Sequence, residues 1–284
     1  MKLATRLALI FSPLLLLASQ ALAAPKVFEE GRAIILGSEG KATVRGPTGS
    51  SHNGATTESP ATVGASYTAG HLFSTAMGAR LATVLSPGAL LGLGAETQVR
   101  LEELSERPQG LPGSQSERVR RIRLSLDKGS IRFDAGDQDP NKKFQIDIGG
   151  ATLNISGGSF ELRREGDKWT LVVVKGEVVV TTKTGTLTLN AGSTGEMVLT
   201  DPEKPVLTRR DTVPADRLPS ADTAFFDKTF APVADAVLKG KSVDLEALTS
   251  HLGGQGNLIS ILGNPGVSHD VSPSSAFGGS SGIR

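Results

Sequence analysis

The stretch LSLDKGSIRF, Leu124–Phe133, alternates apolar and polar side chains on both sides of a Lys-Gly pair. A second stretch, LVVVKGEVVV at Leu171–Val180, also places a Lys-Gly pair between two short apolar runs. Alternation with a period of two is typical of a half-buried strand, and a glycine between two such runs favours a tight turn. The two stretches therefore predict two β-hairpins built to one register.

A two-residue turn at Lys128-Gly129 would place Leu126 opposite Ile131 and Leu124 opposite Phe133. The first hairpin would then have one apolar face and one polar face, as in an antiparallel sheet that covers a core on one side. In the second stretch the positions on both faces are mostly valine or leucine. We therefore expect the second hairpin to be central and covered on both sides, and the first to lie nearer the surface.

A further internal similarity supports repeated construction. TLNISGGS, Thr152–Ser159, resembles TLTLNAGS, Thr186–Ser193, and each is predicted to be a short strand that ends in a Gly-Ser turn. The spacing between the two similar pairs differs, which argues against a strict solenoid period. The sequence predicts an all-β domain of repeated hairpins, either a sandwich or a solenoid-like fold.

The rest of the predicted β domain is rich in glycine and in β-branched residues. We place this domain at residues 24–200, with its core at 33–196. Its expected parts are a strand pair at Ala33–Arg45 that turns near Gly37–Gly40, a mobile loop at 46–64, two strands around Ser86-Pro87-Gly88, a strand at Thr97–Leu104 and a polar loop at Ser105–Glu117.

The character of the sequence changes after Asp201. Residues 201–219 contain four prolines and are expected to form an extended linker. A short helical region follows at 220–263, in which Asp222 is expected to cap a helix. The expected packing stripe of that helix is Phe226, Phe230, Val233 and Val237, interrupted by Pro232. A second short helix would carry Leu245, Leu248 and Leu252, and residues 264–284 form a predicted disordered tail.

The N-terminus has the features of a secretory signal peptide. Lys2 and Arg6 precede an uncharged, leucine-rich run, and Ala21-Leu22-Ala23 has the small-x-small pattern that signal peptidases cleave. The run of roughly 14 residues is shorter than the 18 or more that a membrane-spanning helix needs. The sequence therefore predicts a cleaved signal at residues 1–23 and a periplasmic or secreted protein without a transmembrane segment after cleavage.

Composition narrows the possible functions. The chain contains no cysteine, which removes disulfides, thiolate metal sites and cysteine nucleophiles. Without Lys2 and Arg6, 28 basic residues stand against 29 acidic ones, so the chain has no electrostatic preference for nucleic acid. Aromatic residues make up 4% of the chain, which leaves little for the aromatic platforms of many sugar sites.

The best polar motif is DAGDQDPN. It places Asp137, Asp139 and Asn141 at alternate positions, as at the start of a calcium loop. The glycine expected at the sixth position is replaced by Lys142, and the glutamate expected at the twelfth is replaced by Ile148. A solvated hairpin loop is therefore the preferred interpretation.

Other catalytic patterns are weaker. Glu102 and Glu103 are adjacent in a predicted strand, so their side chains should point to opposite faces and could not act as a glycosidase pair. The four histidines, at positions 52, 71, 251 and 269, lack metal-ligand spacing, and no G-x-S-x-G elbow is present. We assign no catalytic, cofactor-binding or metal-ligating residue, expect no cofactor, and expect a protein that is not an enzyme.

The order of these features resembles the FecR domain, a periplasmic module named after the ferric-citrate regulator. The matching stretches are Gly70–Thr75, Ala79–Leu104, Leu124–Phe133, Gly158-Ser159-Phe160, Thr170–Val180 and Asn190-Ala191-Gly192. The resemblance implies the fold and an exported sensing, binding or scaffolding role, and no reaction.

Two departures from the family matter. The best-known members place a sigma-factor-binding segment and a transmembrane helix before this domain, whereas this chain begins with a predicted signal, so the anti-sigma role is not expected to carry over. Gly157 stands where the family usually has a basic residue. The leading hypothesis is a non-enzymatic envelope module that binds a protein or glycan partner. The alternatives are an assembly protein that self-associates, as a homo-oligomer, through Phe225, Phe226 and Phe230, and a hydrolase with a site formed by distant residues.

Overall fold

A computed structural model describes residues 29–47, 58–107, 119–198, 200–201, 204–211 and 220–238. The predicted signal peptide, the second C-terminal helix and the tail lie outside these residues. The strands are β1 (Glu29–Glu30), β2 (Ala33–Glu39), β3 (Ala42–Arg45), β4 (Glu58–Pro60), β5 (Ser66–Tyr67), β6 (Leu72–Thr75), β7 (Arg80–Leu85), β8 (Ala89–Leu93), β9 (Gln98–Arg107), β10 (Val119–Lys128), β11 (Ser130–Asp134), β12 (Lys142–Asp147), β13 (Ala151–Glu165), β14 (Lys168–Thr182), β15 (Thr186–Asn190), β16 (Thr194–Val198) and β17 (Val206–Arg210). The helices are α1 (Ser220–Phe230) and α2 (Ala234–Leu238). The all-β fold class with short C-terminal helices is confirmed.

The strands form two layers, which we call sheet one and sheet two. Sheet one runs β4-β3-β6-β9-β10-β12-β13-β14-β15, and β1 pairs with the far end of β9. Sheet two runs β5-β2-β7-β8-β11-β13-β14-β16-β17. The long strands β13 and β14 belong to both sheets, because one half of each pairs in sheet one and the other half in sheet two. This shared hairpin joins the two layers.

The main core lies between the two sheets. Inward side chains of both layers form one cluster of buried apolar residues. Its largest members are fully buried: Phe73, Phe133, Phe144, Phe160 and Trp169. Burial of apolar surface on facing sheets is the main stabilising contribution in such a fold, and no disulfide assists it.

The predicted hairpin at Lys128-Gly129 is wrong in its pairing. β10 pairs with β9 and β12 in sheet one, whereas β11 pairs with β8 and β13 in sheet two, so Leu124 and Leu126 do not face Phe133 and Ile131. The Lys-Gly pair is a corner at which the chain leaves one sheet and enters the other. Gly129 has φ +94°, and a Cβ there would come 2.4 Å from the Cα atom of Thr97. The predicted burial of one face is nevertheless confirmed, since all four of these apolar residues are buried.

The second predicted hairpin is likewise a corner. Leu171–Val180 lies within the single strand β14, whose first half pairs with β16 and whose second half pairs with β15. Its central position is confirmed, because β14 has neighbours on both edges in each sheet. Burial on both faces holds at Leu171–Val173, where Val172 is 3% exposed, whereas Val174 is 39% exposed and Val179 is only half-buried.

The repetition is therefore real, but the repeated unit is a corner. Thr152–Ser159 changes sheets inside β13, where Gly158 has φ +98° and the register with β14 shifts. Thr186–Ser193 changes sheets between β15 and β16. The predicted Gly-Ser turn is thus a bend within a continuous strand in the first case and a short connection in the second.

The N-terminal part departs from expectation in the same way. β2 and β3 do not pair with each other, since β2 pairs with β5 and β7 whereas β3 pairs with β4 and β6. The predicted hairpin around Ser86-Pro87-Gly88 is confirmed as β7–β8, with Leu85 paired to Ala89. Within the predicted loop at 46–64, Glu58–Pro60 forms β4; residues 48–57 lie outside the described part. Likewise, Val206–Arg210 forms β17 inside the segment predicted as a linker.

The helices form a third layer on the outer face of sheet two. Phe226, Phe230, Val233 and Val237 pack there, as the spacing predicted. The sheet contributes Ile34, Leu36, Ala82, Val84 and Leu90. The two helices are separated at Pro232, in agreement with the expected interruption.

Asp222 does not cap α1 as expected. It lies in the first turn of the helix, and its carboxylate accepts a hydrogen bond from Nε of Arg80 on β7 at 2.5 Å. Arg132 on β11 makes a second ion pair, of 2.6 Å, with Asp227. Two ion pairs therefore fix the direction of α1 on the sheet. No helix in the described part of the chain is long and apolar enough to cross a membrane.

Candidate functional site

The DAGDQDPN stretch connects β11 in sheet two to β12 in sheet one and is not a hairpin loop. The amide of Asn141 donates to the Asp139 carboxylate at 2.9 Å, which closes a local turn. The Asp137 carboxylate binds Nζ of Lys175 at 2.8 Å, and this contact raises the pKa of the lysine. Asp137 thus holds the crossover against the β14 corner, and Asp139 closes a turn within it.

Lys142 lies at the centre of this crossover. It is 4% exposed, and its ammonium donates to the carbonyl oxygens of Ala135 at 2.5 Å and Asp137 at 2.8 Å. Burial lowers the pKa of Lys142, and the nearby positive charge of Arg120 lowers it further. The ammonium sits among the carbonyl oxygens that a bound cation would need. Among the described residues, no three His, Cys, Asp or Glu side chains are placed to hold one metal ion.

Replacing Lys142 by alanine is expected to lower the free energy of unfolding by about 2–4 kcal/mol, because two buried carbonyls lose a charged donor. Urea denaturation followed by the fluorescence of Trp169, which is buried, measures the change. Lys143→Ala is the matched control, since Lys143 is exposed and should shift stability by no more than about 0.5 kcal/mol. Equal effects of the two substitutions would contradict a structural role for the Lys142 ammonium.

The predicted opposite orientation of the Glu102 and Glu103 side chains is wrong. The pairing of β9 with β10 skips Glu102, so a β-bulge puts both glutamates between the inward residues Leu101 and Leu104 and on the solvent side. Each carboxylate has its own arginine: Glu102 lies 3.7 Å from Arg100 and Glu103 lies 3.8 Å from Arg121. These separate pairings favour sheet stabilisation over joint acid-base chemistry.

Of the four histidines, His71 alone lies within the described residues, and its contacts serve to stabilise the fold. Its Nδ1 lies 3.0 Å from the carbonyl oxygen of Thr68, and its ring contacts Tyr67 edge to face at a centroid distance of 5.3 Å. Tyr67 also packs on Phe73, which belongs to the core. The other three histidines lie outside the described residues.

Sequence reasoning missed two clefts at the two ends of the helical layer. The first has a volume of about 440 Å³ and lies at the start of α1, where Lys128, Arg163 and Arg164 face Glu96 and Asp222. These residues come from four distant parts of the chain, so no local pattern could have revealed the cleft. Arg164 is held in place by the carbonyls of Asp127 and Gly166 and lies 5.5 Å from the ring centroid of Trp169.

The second cleft, of about 410 Å³, lies at the end of α2. Leu238 forms one wall, and the opposite wall contains Arg120, Lys142 and the crossover residues Asp137 and Asp139. Both clefts are open, and many of their charged groups already form ion pairs or hydrogen bonds within the protein.

Comparisons with known proteins find one family and a small number of solved structures that are similar to this chain. Residues 71–179, or 109 of the 284, match the sequence profile of a family described as "FecR protein". Two crystal structures of a candidate anti-sigma factor from Parabacteroides distasonis are each 18% identical to this chain, with a TM-score of 0.38. Each alignment covers 50% of this chain and 59% of the other chain. This chain therefore spans about 59% of the length of those proteins. No curated protein matches.

Proposed function

We propose that this protein is an exported, non-enzymatic regulatory module of the cell envelope that acts by binding a protein partner, because residues 71–179 match the FecR family. The domain match is the observation that carries the proposal. It begins just before β6 and ends within β14, so it includes the strands that join the two sheets. The helical layer, β15, β16 and β17 lie beyond the match.

Export is supported by the sequence of the N-terminus. The basic residues, the short leucine-rich run and the Ala21-Leu22-Ala23 pattern together favour cleavage after Ala23. The absence of cysteine means that a stable exported form must depend on its apolar core and its ion pairs.

A protein partner is favoured over a glycan because the described surface offers few aromatic platforms. Trp169 is 1% exposed, and Tyr67 is half-buried between His71 and Phe73. Self-association through the phenylalanine stripe is not favoured, since Phe226 and Phe230 are buried on sheet two of the same chain. The clefts, whose charged groups are largely paired internally, support binding over catalysis.

If the protein regulates gene expression from outside the cytoplasm, loss of its gene should be visible in the transcripts of its host. Deleting the gene in its own host should change the transcript levels of a limited set of genes. The full chain should restore those levels, whereas a chain that lacks residues 1–23 should not, because it stays in the cytoplasm. Transcript sequencing of the three strains measures this, with protein levels matched by immunoblot. An unchanged transcriptome, or equal rescue by both chains, would contradict the proposal.

A further inference from the structure

Strand β17 forms an open edge of sheet two. It pairs antiparallel with β16 along all five of its residues, Val206–Arg210, and its other edge carries no strand among the described residues. An open edge presents unpaired backbone N–H and C=O groups at regular intervals, which is the template for pairing with another extended chain.

The neighbouring edge of sheet one is obstructed. Arg209 reaches across from β17, and its guanidinium donates to the carbonyl oxygen of Thr188 on β15 at 3.2 Å. The hydroxyl of Thr184, just before β15, donates to the carbonyl oxygen of Pro205 at 3.3 Å. Pro205, directly before β17, and Arg209 on β17 therefore hold β15, the last strand of sheet one. Of these two adjacent edges, β17 is the accessible one.

Apolar side chains accompany the open edge. Val198 and Val206 are register partners on β16 and β17, and they are 38% and 58% exposed. They are two of the five large apolar residues that the described surface exposes. A strand placed beside β17 would cover Val206 and part of Val198, so apolar burial would add to backbone pairing.

The charge of this edge is positive. Glu196 binds both Lys168, at 2.9 Å, and Arg210, at 3.1 Å, and the contact with Lys168 lowers the pKa of Glu196. Arg209 lies 2.7 Å from Asp211. On β17 and directly after it, two arginines, Arg209 and Arg210, stand against one acid, Asp211, so an incoming acidic strand is attracted whereas a second copy of the same edge is repelled.

We propose that β17 accepts an extended, acidic and apolar segment of a partner protein as an additional strand of sheet two. This inference rests on the proposed function in one respect, namely that the partner is a protein. Backbone pairing along Val206–Arg210 supplies the affinity. The exposed valines and the arginines select a segment in which apolar and acidic residues alternate.

Synthetic peptides test the proposal without knowledge of the partner. The probe is a ten-residue peptide of alternating valine and glutamate, and its counterpart replaces glutamate by lysine. Two further versions carry N-methyl groups on the odd or on the even residues, so that one edge of the peptide cannot donate hydrogen bonds. Binding to residues 24–284 is measured by fluorescence anisotropy, and amide hydrogen exchange locates the contact.

The acidic peptide should bind at least about tenfold more tightly than the basic peptide, with exchange slowed at Val206–Arg210. One N-methylated version should lose binding and the other should retain it, because only one edge of an added strand pairs with β17. Val206→Asp should weaken binding by about tenfold, whereas Val174→Asp, at a valine that is 39% exposed in the corner of β14, should change it less than about twofold.

Equal affinity for the two charges, equal effects of the two N-methylated versions, or protection outside β17 would overturn the proposal. Protection of β17 in the protein alone, together with a dimer in sedimentation equilibrium, would also overturn it by assigning the edge to a second copy. These outcomes are independent of the transcript measurement. A regulatory module that uses another surface would pass the genetic test and fail this one.

Discussion

Gly158→Ala is expected to lower the free energy of unfolding by at least about 4 kcal/mol, the largest effect that we expect from a single methyl group in this protein. Gly158 has φ +98°, and a Cβ there would lie 2.1 Å from the carbonyl oxygen of Lys175. That oxygen belongs to the backbone of the paired strand, which cannot rotate away. The clash would force apart β13 and β14, the two strands that join the sheets.

Gly166→Ala is the matched control for Gly158→Ala. Gly166 also has a positive φ, +59°, but its Cβ would meet no atom within 4 Å. Its cost should therefore be about 1 kcal/mol, the conformational penalty alone. Urea denaturation followed by Trp169 fluorescence compares the two variants, with expression in soluble form as a second measure if the first variant does not fold. Equal costs would show that the corner at Gly158 tolerates a side chain and would contradict its assigned role.

Phe226→Ala is expected to lower the free energy of unfolding by about 3–5 kcal/mol and to loosen the helical layer. Phe226 is fully buried and stacks on Phe230 at a ring-centroid distance of 5.9 Å. Its ring lies directly over Gly92 of β8, where a Cβ would come within 2.7 Å of it. The absence of a side chain at Gly92 is what allows the ring to reach the sheet, so alanine at position 226 leaves a cavity that no neighbour fills.

Phe225→Ala controls for the loss of an aromatic ring from the same helix. Phe225 is half-buried, so its removal should cost about 1–2 kcal/mol. Hydrogen exchange measured by mass spectrometry should show faster exchange across residues 220–238 for Phe226→Ala while the core strands stay protected. A uniform acceleration over the whole chain would mean that the helices and sheets unfold as one unit, and would contradict a separate layer.

Alternation predicted correctly which side chains are buried around Lys128-Gly129 and in most of Leu171–Val180. It did not predict which strands pair. A glycine between two apolar runs suits a hairpin turn and a corner between sheets equally well, since both need the left-handed backbone that glycine adopts easily. For Leu124–Phe133 the choice depends on β8 and β13, which are distant in sequence from that stretch.

The same limit applies to the candidate sites. The bulge at Glu102 arises from the register of β9 against β10. The clefts arise where the ends of the helices meet residues from distant parts of the chain. Lys142 was the one site residue whose role the local sequence partly indicated, because a lysine at the glycine position of a calcium loop already argued against a bound cation. Its role as the donor that replaces such a cation depends on burial, which the sequence pattern alone did not show.

Site-specific photo-crosslinking in cells tests the central proposal most directly, namely that this protein is exported and acts by binding another protein. A benzophenone side chain at position 206, on the edge of sheet two, should give one discrete product of higher mass, and mass spectrometry should identify an envelope protein in it. The same group at Met77, which is 85% exposed on the opposite side of the pairing network, should give no such product. Products of equal yield from both positions, or a product at position 206 that contains only this protein itself, would contradict the account.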